Sequence, residues 1–183
     1  MTIIKIDEDI ELGIVQMEER FKLFETVDRN RHHLRKWLPW VDHSTSPDSY
    51  ITVIQAWQEN IDRGTGLEVA IYYRGELCGM TGYNMMAPGQ GRAQIGYWVS
   101  KDAEGKGIVK RAVKGLIDYG FDTLGLNRVE IICGDKNYRS RAIPEAFGFA
   151  QEAVMAEYEF LYDHYHDCIL YRMLKKDWVA CEK

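Results

Sequence analysis

The chain has 183 residues, 46% of them apolar and 28% charged, with a formal net charge of −5. That length predicts one domain over residues 1–183, burying roughly 70% of the unfolded surface without a disulfide or metal staple. Modest net charge beside 12% aromatic residues excludes a disordered chain, and the acidic balance argues against direct nucleic-acid binding, which relies on clustered Lys and Arg.

Ile3 to Val15 reads as one or two short strands. Within it Lys5, Asp7, Glu8 and Asp9 stand where a secretory leader needs an apolar run, which predicts a cytoplasmic protein. Met17, Phe21, Phe24 and Val27 recur at helical spacing, and His33 to Trp40 reads as an aromatic turn or short helix ended by Pro39. The cluster from Ser44 to Asp48 starts another helix carrying Ile51, Ile54 and Trp57, with Pro47 suited to its first turn.

The middle of the chain is strand-like. Leu67, Val69, Ile71 and Tyr73 alternate, and Arg74-Gly75 turns the chain into Leu77 to Met85 as a hairpin. The uncharged stretch from Leu77 to Gly91 is too short to cross a bilayer and is broken by Gly, Asn and Pro, so no membrane partner is expected. After the turn at Pro88 to Gly91, Ala93 to Val99 forms the next strand. A long helix carries Ile108, Ala112, Val113, Leu116, Ile117, Phe121 and Leu124. Val129, Ile131 and Cys133 then alternate before a helix opened by Asn137, and two strands follow, about Phe149 to Phe160 and His166 to Leu174. This order predicts an α+β fold around a mixed sheet rather than a doubly wound one. Edge strands near the C-terminus would suit a homodimer.

Cys78, Cys133, Cys168 and Cys181 are widely spaced, and Cys78 and Cys133 fall inside strand-like runs, which predicts buried free thiols. His164 and His166 would share a strand face, but the sequence offers no recognisable third ligand and no HExxH, so no metal is expected.

The most informative segment runs from Tyr97-Trp98-Val99 through Glu104-Gly105-Lys106-Gly107-Ile108-Val109 into the long helix. Amides at a helix N-terminus lack intrahelical acceptors and sit at the positive end of the dipole, so an anion is favoured there. Glycines let a phosphate approach the backbone, and Lys106, Lys110 and Arg111 add positive charge. The motif alone also fits an ordinary strand-to-helix turn, and it is neither GxGxxG nor a P-loop.

With this context, nearly the whole chain resembles the GNAT superfamily of acetyltransferases. The resemblance implies a mostly antiparallel sheet of about six to seven strands flanked by helices. It also implies acetyl-CoA as co-substrate. Residues Glu104 to Val109 would hold the pyrophosphate through their amides, Trp98 and Val99 would pair with pantetheine, and Asn137 would reach the pantetheine arm besides capping its helix. Glu104 stands where the family has Gln or Arg. A carboxylate there weakens coenzyme binding unless Lys101 or Lys106 neutralises it.

Pro144 occupies the position of the tyrosine general acid of many GNAT enzymes. Asn137 with Ser140, the stretch Gly125 to Glu130 and the stretch Asn30 to Asp42 instead resemble the Rim-type ribosomal-protein N-terminal acetyltransferases. That branch implies Glu159 as general base, with Glu157 the competing register, and Ser140 as donor to the departing thiolate. The acceptor it implies is the N-terminal amine of a ribosomal protein. A polyamine or aminoglycoside, or a non-catalytic acetyl-CoA sensor, remain alternatives. Glu145, Glu152, Glu157, Glu159, Asp163 and Asp167, with no Lys or Arg between Glu145 and Tyr171, predict an acidic face suited to a cationic acceptor. Trp37 and Trp40 would wall its cleft, and Trp57 reads as a core anchor.

Overall fold

Asp7 divides the first apolar run. In the computed structural model, which describes residues 2–181 and the side chains of 3–178, its Oδ1 accepts hydrogen bonds of 2.9 Å from the amides of both Asp9 and Ile10. The resulting turn separates β1 (Thr2–Lys5) from β2 (Ile10–Gly13), and the sheet therefore has eight strands rather than six or seven. Helices α1 (Arg20–Arg29), α2 (Arg31–Leu34) and α3 (Ser49–Arg63) follow. Pro39 does not end a helix. α2 stops at Leu34, and Pro39 instead opens a 3-10 turn, Pro39–His43, where its missing N–H costs nothing.

Strands β3 (Leu67–Tyr73) and β4 (Glu76–Ala87) form the expected hairpin, with Arg74 and Gly75 both at positive φ. Then come β5 (Arg92–Val99), α4 (Ile108–Asp122), β6 (Arg128–Gly134), α5 (Tyr138–Ala146), β7 (Ala150–Leu161), β8 (His164–Leu174) and α6 (Lys175–Cys181). The sheet order is β1-β2-β3-β4-β5-β6-β8-β7, antiparallel throughout except for β5 against β6.

Each face of the sheet carries its own core. On one face α4 lays Ile108, Val113, Leu116, Ile117 and Phe121 against Ile10, Leu12, Val69, Ile71, Ile95 and Val129. On the other, Leu23, Val27, Leu34, Tyr50 and Ile54 pack on Ala70, Leu77 and Met80. Burying each large aliphatic or aromatic side chain contributes roughly 1.5–3 kcal/mol, which holds both helical layers to the sheet. Cys78, Cys133 and Cys168 are buried free thiols, and the side chain of Cys181 lies outside the described residues. Among the described residues, no helix is long and apolar enough to cross a membrane.

One irregularity positions the site. β5 and β6 pair only from Arg92–Arg128 to Ile95–Ile131, yet β5 runs on to Val99 and β6 to Gly134. Beyond Ile95 the two strands part, and the edge of β5 that faced β6 is left without a ladder. A bulge at Asn84 in β4, between the pairs of Tyr83 and Met85, adds a bend beside the parting point.

Candidate active site

Two helix N-termini open onto the parted strands. Ahead of α4, Gly105 (φ +73°) and Gly107 (φ +70°) lie in the left-handed region that other L-residues enter only with strain. A Cβ added at either would meet nothing within 4 Å, so the glycines serve backbone geometry and leave an open cradle over the first amides of the helix. Ahead of α5, Asn137 Oδ1 accepts the Ser140 amide at 3.3 Å, so the cap predicted for Asn137 is made. Both ends line one cleft of about 1700 Å³, together with Trp98, Val99, Glu104, Gly105, Gly107, Ile108, Val109, Ser140 and Glu159. Lys106 points elsewhere: its Nζ lies 5.9 Å over the ring of Tyr73.

Glu104 is held by two cations and an imidazole. Arg139 ion-pairs with it, Lys101 Nζ lies 2.7 Å away and His33 Nε2 3.4 Å away. Burial pushes its carboxyl up, but hydrogen bonds from Arg139 and Lys101, with the charge of His33, outweigh this and bring it down to about 2. Lys101 is the neutralising group anticipated from the sequence. Arg139 and His33 were invisible there because they come from α5 and α2.

Ser140 is anchored through Tyr97. The Tyr97 hydroxyl donates to the Ser140 carbonyl at 2.8 Å, and Ser140 Oγ donates to the Tyr97 hydroxyl at 3.3 Å. Burial holds the Tyr97 phenol well above its ordinary range, so it stays protonated. Alternation along β5 turns Tyr97 to the α5 side and Trp98 to the opposite face, where it meets Trp40 with ring centroids 6.3 Å apart.

Glu159 and Glu157 are separated by a bulge. The register shifts between Met155 and Glu159, Glu157 takes φ +48°, and its amide donates to Asp167 Oδ1 at 2.8 Å. Glu159 pairs across the hairpin with His166, and its Oε2 lies 3.0 Å from His166 Nε2. The His166 ring is 8% exposed and stacks on Trp37 with centroids 5.8 Å apart. Cys168 Sγ donates to the same carboxylate at 3.8 Å, while burial and the charge of Glu159 push its thiol up to about 12. Glu159, His166 and Cys168 place three potential metal-ligand atoms within 4.8 Å of one another. The sequence hid this cluster, because Glu159 comes from β7 while His166 and Cys168, two residues apart, come from the neighbouring strand β8.

The acidic face is less acidic than its residues suggest. Glu152 accepts from Arg128 and Arg172, and Glu145 from Arg141 and Tyr171. These arginines lie outside the arginine-free stretch and return to it through sheet pairing and helix spacing. Trp37, Trp40 and Trp57 all line the cleft, and Trp57 also packs on the core of that face.

A glycine-opened helix N-terminus beside a strand edge without a ladder is the site of a protein that grips a phosphate-bearing coenzyme through its backbone. The GNAT acetyltransferase domain family matches residues 12–150, and the chain belongs to that family. It is a Rim-type, acetyl-CoA-dependent N-acetyltransferase. YdaF of Bacillus subtilis (strain 168), whose name places it among ribosomal N-acetyltransferases, is 35% identical over 175 residues, covering 95% of this chain and 96% of its own length. The ribosomal-protein-serine acetyltransferase of Escherichia coli (strain K12) is 29% identical over 168 residues, covering 92% of this chain and 94% of its own. The structure of RimL, a ribosomal L7/L12 alpha-N-protein acetyltransferase in complex with coenzyme A, matches with a TM-score of 0.91 at 25% identity, covering 95% of this chain and 98% of that one.

Proposed function

We propose that the chain acetylates the N-terminal amine of a ribosomal protein by direct transfer, with Glu159 as general base and Ser140 as donor to the departing thiolate. The observation that carries this reading is that Glu159, Ser140 and the glycine cradle, distant in sequence, line one cleft. The acceptor class is drawn from the names of the relatives.

The acetyl thioester of the coenzyme supplies the group transferred; the chain's residues do the rest. The amides of residues 105–110 and of α5 offer donors to its phosphates, and the free edge of Gly96–Val99 offers a backbone ladder to its arm. An amine is protonated at neutral pH and must lose that proton before its nitrogen can attack the carbonyl carbon. Glu159, oriented by His166, takes the proton directly or through water. Backbone N–H groups near Val99 face the charge that develops on the carbonyl oxygen. As the C–N bond forms and the C–S bond breaks, Ser140 turns its hydroxyl to donate a hydrogen bond to the departing thiolate, which takes its proton from the acetylated nitrogen as the neutral amide forms. The buried, protonated Tyr97 holds Ser140 in position for this.

The test is thiol release from acetyl-CoA with peptides carrying ribosomal-protein N-termini, beside spermidine and an aminoglycoside. Turnover of the peptides, with a loss on the order of 10²–10⁴ in Glu159→Gln, is the expected result. Turnover confined to spermidine or the aminoglycoside would replace the acceptor, and full activity in the variant would remove Glu159 from the mechanism.

A further inference from the structure

Glu68 of β3 lines the same cleft, and its Oε2 is buried with no hydrogen-bond partner among the described residues. Burial holds this carboxyl above its ordinary range. Desolvating a carboxylate without a partner is unfavourable, and a cationic ligand is the group that offsets the loss most fully.

The sheet register shows where such a ligand would lie. Glu68 pairs with Gly82, and Gly82 pairs with Gly96, the first residue of β5 beyond the last β5–β6 pair. From the Glu68 backbone to the parting point the sheet floor is two glycines, with the Asn84 side chain lying over Gly96, while the Glu68 carboxylate bends along β3 to lie over Gly66. Trp57 and Trp98 line the cleft on this side. Glu159 lies on the far side of the gap. In the sheet order β3 lies two strands from the gap on one side and β7 lies beyond β6 and β8 on the other, so the two carboxylates flank the parting point from opposite sides.

We propose that Glu68 anchors a second, cationic group of the acceptor, a lysine or arginine side chain close behind the reacting N-terminus, while the reacting amine lies at the gap. Two strand steps, about 10 Å, equal about three rises of extended chain, which places the cation at roughly the fourth position of the acceptor chain. This rests on the peptide-acceptor reading above.

The experiment uses serine-started hexapeptide amides in an alanine background, with one lysine walked through positions two to five, and the same set with norleucine in place of lysine. Wild type is expected to show a KM lower by on the order of tenfold for one lysine peptide over its norleucine partner. Glu68→Gln should collapse that ratio towards one while kcat moves far less than KM, and Glu68→Asp should restore part of it. Tm should hold or rise, because the variant removes a half-buried charge whose Oε2 has no hydrogen-bond partner among the described residues. A lysine preference that survives in Glu68→Gln overturns the proposal, as does no preference in wild type, or a fall in kcat that is equal for both peptides. Spermidine separates the two readings. If spermidine turns over and the peptides do not, the ribosomal acceptor fails. The Glu68 anchor then stands only if Glu68→Gln raises the spermidine KM about tenfold.

Discussion

Arg139, in the first turn of α5, forms an ion pair with Glu104 in the loop leading to α4, so one carboxylate ties together the two helix N-termini that face the cleft. Lys101 adds a second cation, and the His33 ring, whose pKa burial holds below its ordinary value, closes the remaining side. An acid in a phosphate-binding loop repels a pyrophosphate; here its charge is balanced, but Arg139 and Lys101 spend part of their field on it rather than on a ligand.

Glu104→Gln is therefore expected to tighten coenzyme A binding several-fold, consistent with about 0.3–1 kcal/mol per exposed charge near a helix end. Calorimetric titration with coenzyme A at low and at high salt checks this. The gain should shrink at high salt, because the released cations are solvent-facing and screened. Unchanged affinity would mean that the surround already cancels Glu104 completely.

The same carboxyl makes a pH-dependent contribution to stability. Its folded-state value of about 2 lies below the ordinary 4.5, so the stabilisation is present above about pH 4.5 and is lost as pH falls through about 2. Thermal melts should show Glu104→Gln less stable than wild type at pH 7, with the gap closing towards pH 2. A gap that widens on acidification would contradict the assignment.

Tyr97→Phe deletes the hydroxyl that both grips the Ser140 carbonyl and accepts from its Oγ. Leaving that carbonyl without its donor is expected to cost about 1–3 kcal/mol in urea melts. With Ser140 hydrogen-bonding the departing thiolate, kcat should also fall by about tenfold with the KM for acetyl-CoA nearly unchanged. The double variant with Ser140→Ala should lose little beyond Ser140→Ala alone, because both act through one hydroxyl. Additive losses would separate Tyr97 from Ser140.

The elements were legible wherever a local rule governs them. Arg74-Gly75 marks its hairpin, Asn137 its cap and Gly105-x-Gly107 its helix opening, because turns, caps and positive φ are decided within a few residues. What the sequence could not display were contacts made by sheet register. Glu159 meets His166 because a bulge at Glu157 shifts β7 against β8, and no spacing rule foretells a bulge. Glu152 loses its expected freedom to Arg128, two strands away. Glu68 reads in sequence as an ordinary polar position in an alternating strand. Only the folded cleft, which Glu68 lines beside the glycines Gly82 and Gly96 of the neighbouring strands, shows its place.

Gly120 illustrates a constraint of the same kind within the core. It lies inside α4 with ordinary helical backbone, so propensity alone predicts that alanine there would stabilise. Tyr83, however, rises from β4 to donate its hydroxyl to the Leu116 carbonyl at 2.8 Å, and a Cβ on Gly120 would lie 2.0 Å from that oxygen. Both residues are fully buried, and Leu126 closes the same pocket at 3.1 Å, so neither ring nor helix has room to yield. Gly120→Ala should therefore destabilise by about 1–3 kcal/mol, the usual cost of overpacking. Tyr83→Phe in the Gly120→Ala background should recover part of the loss by removing the clashing oxygen. Urea denaturation of the two single variants and the double checks this; a Gly120→Ala protein more stable than wild type would show that helix propensity outweighs the contact.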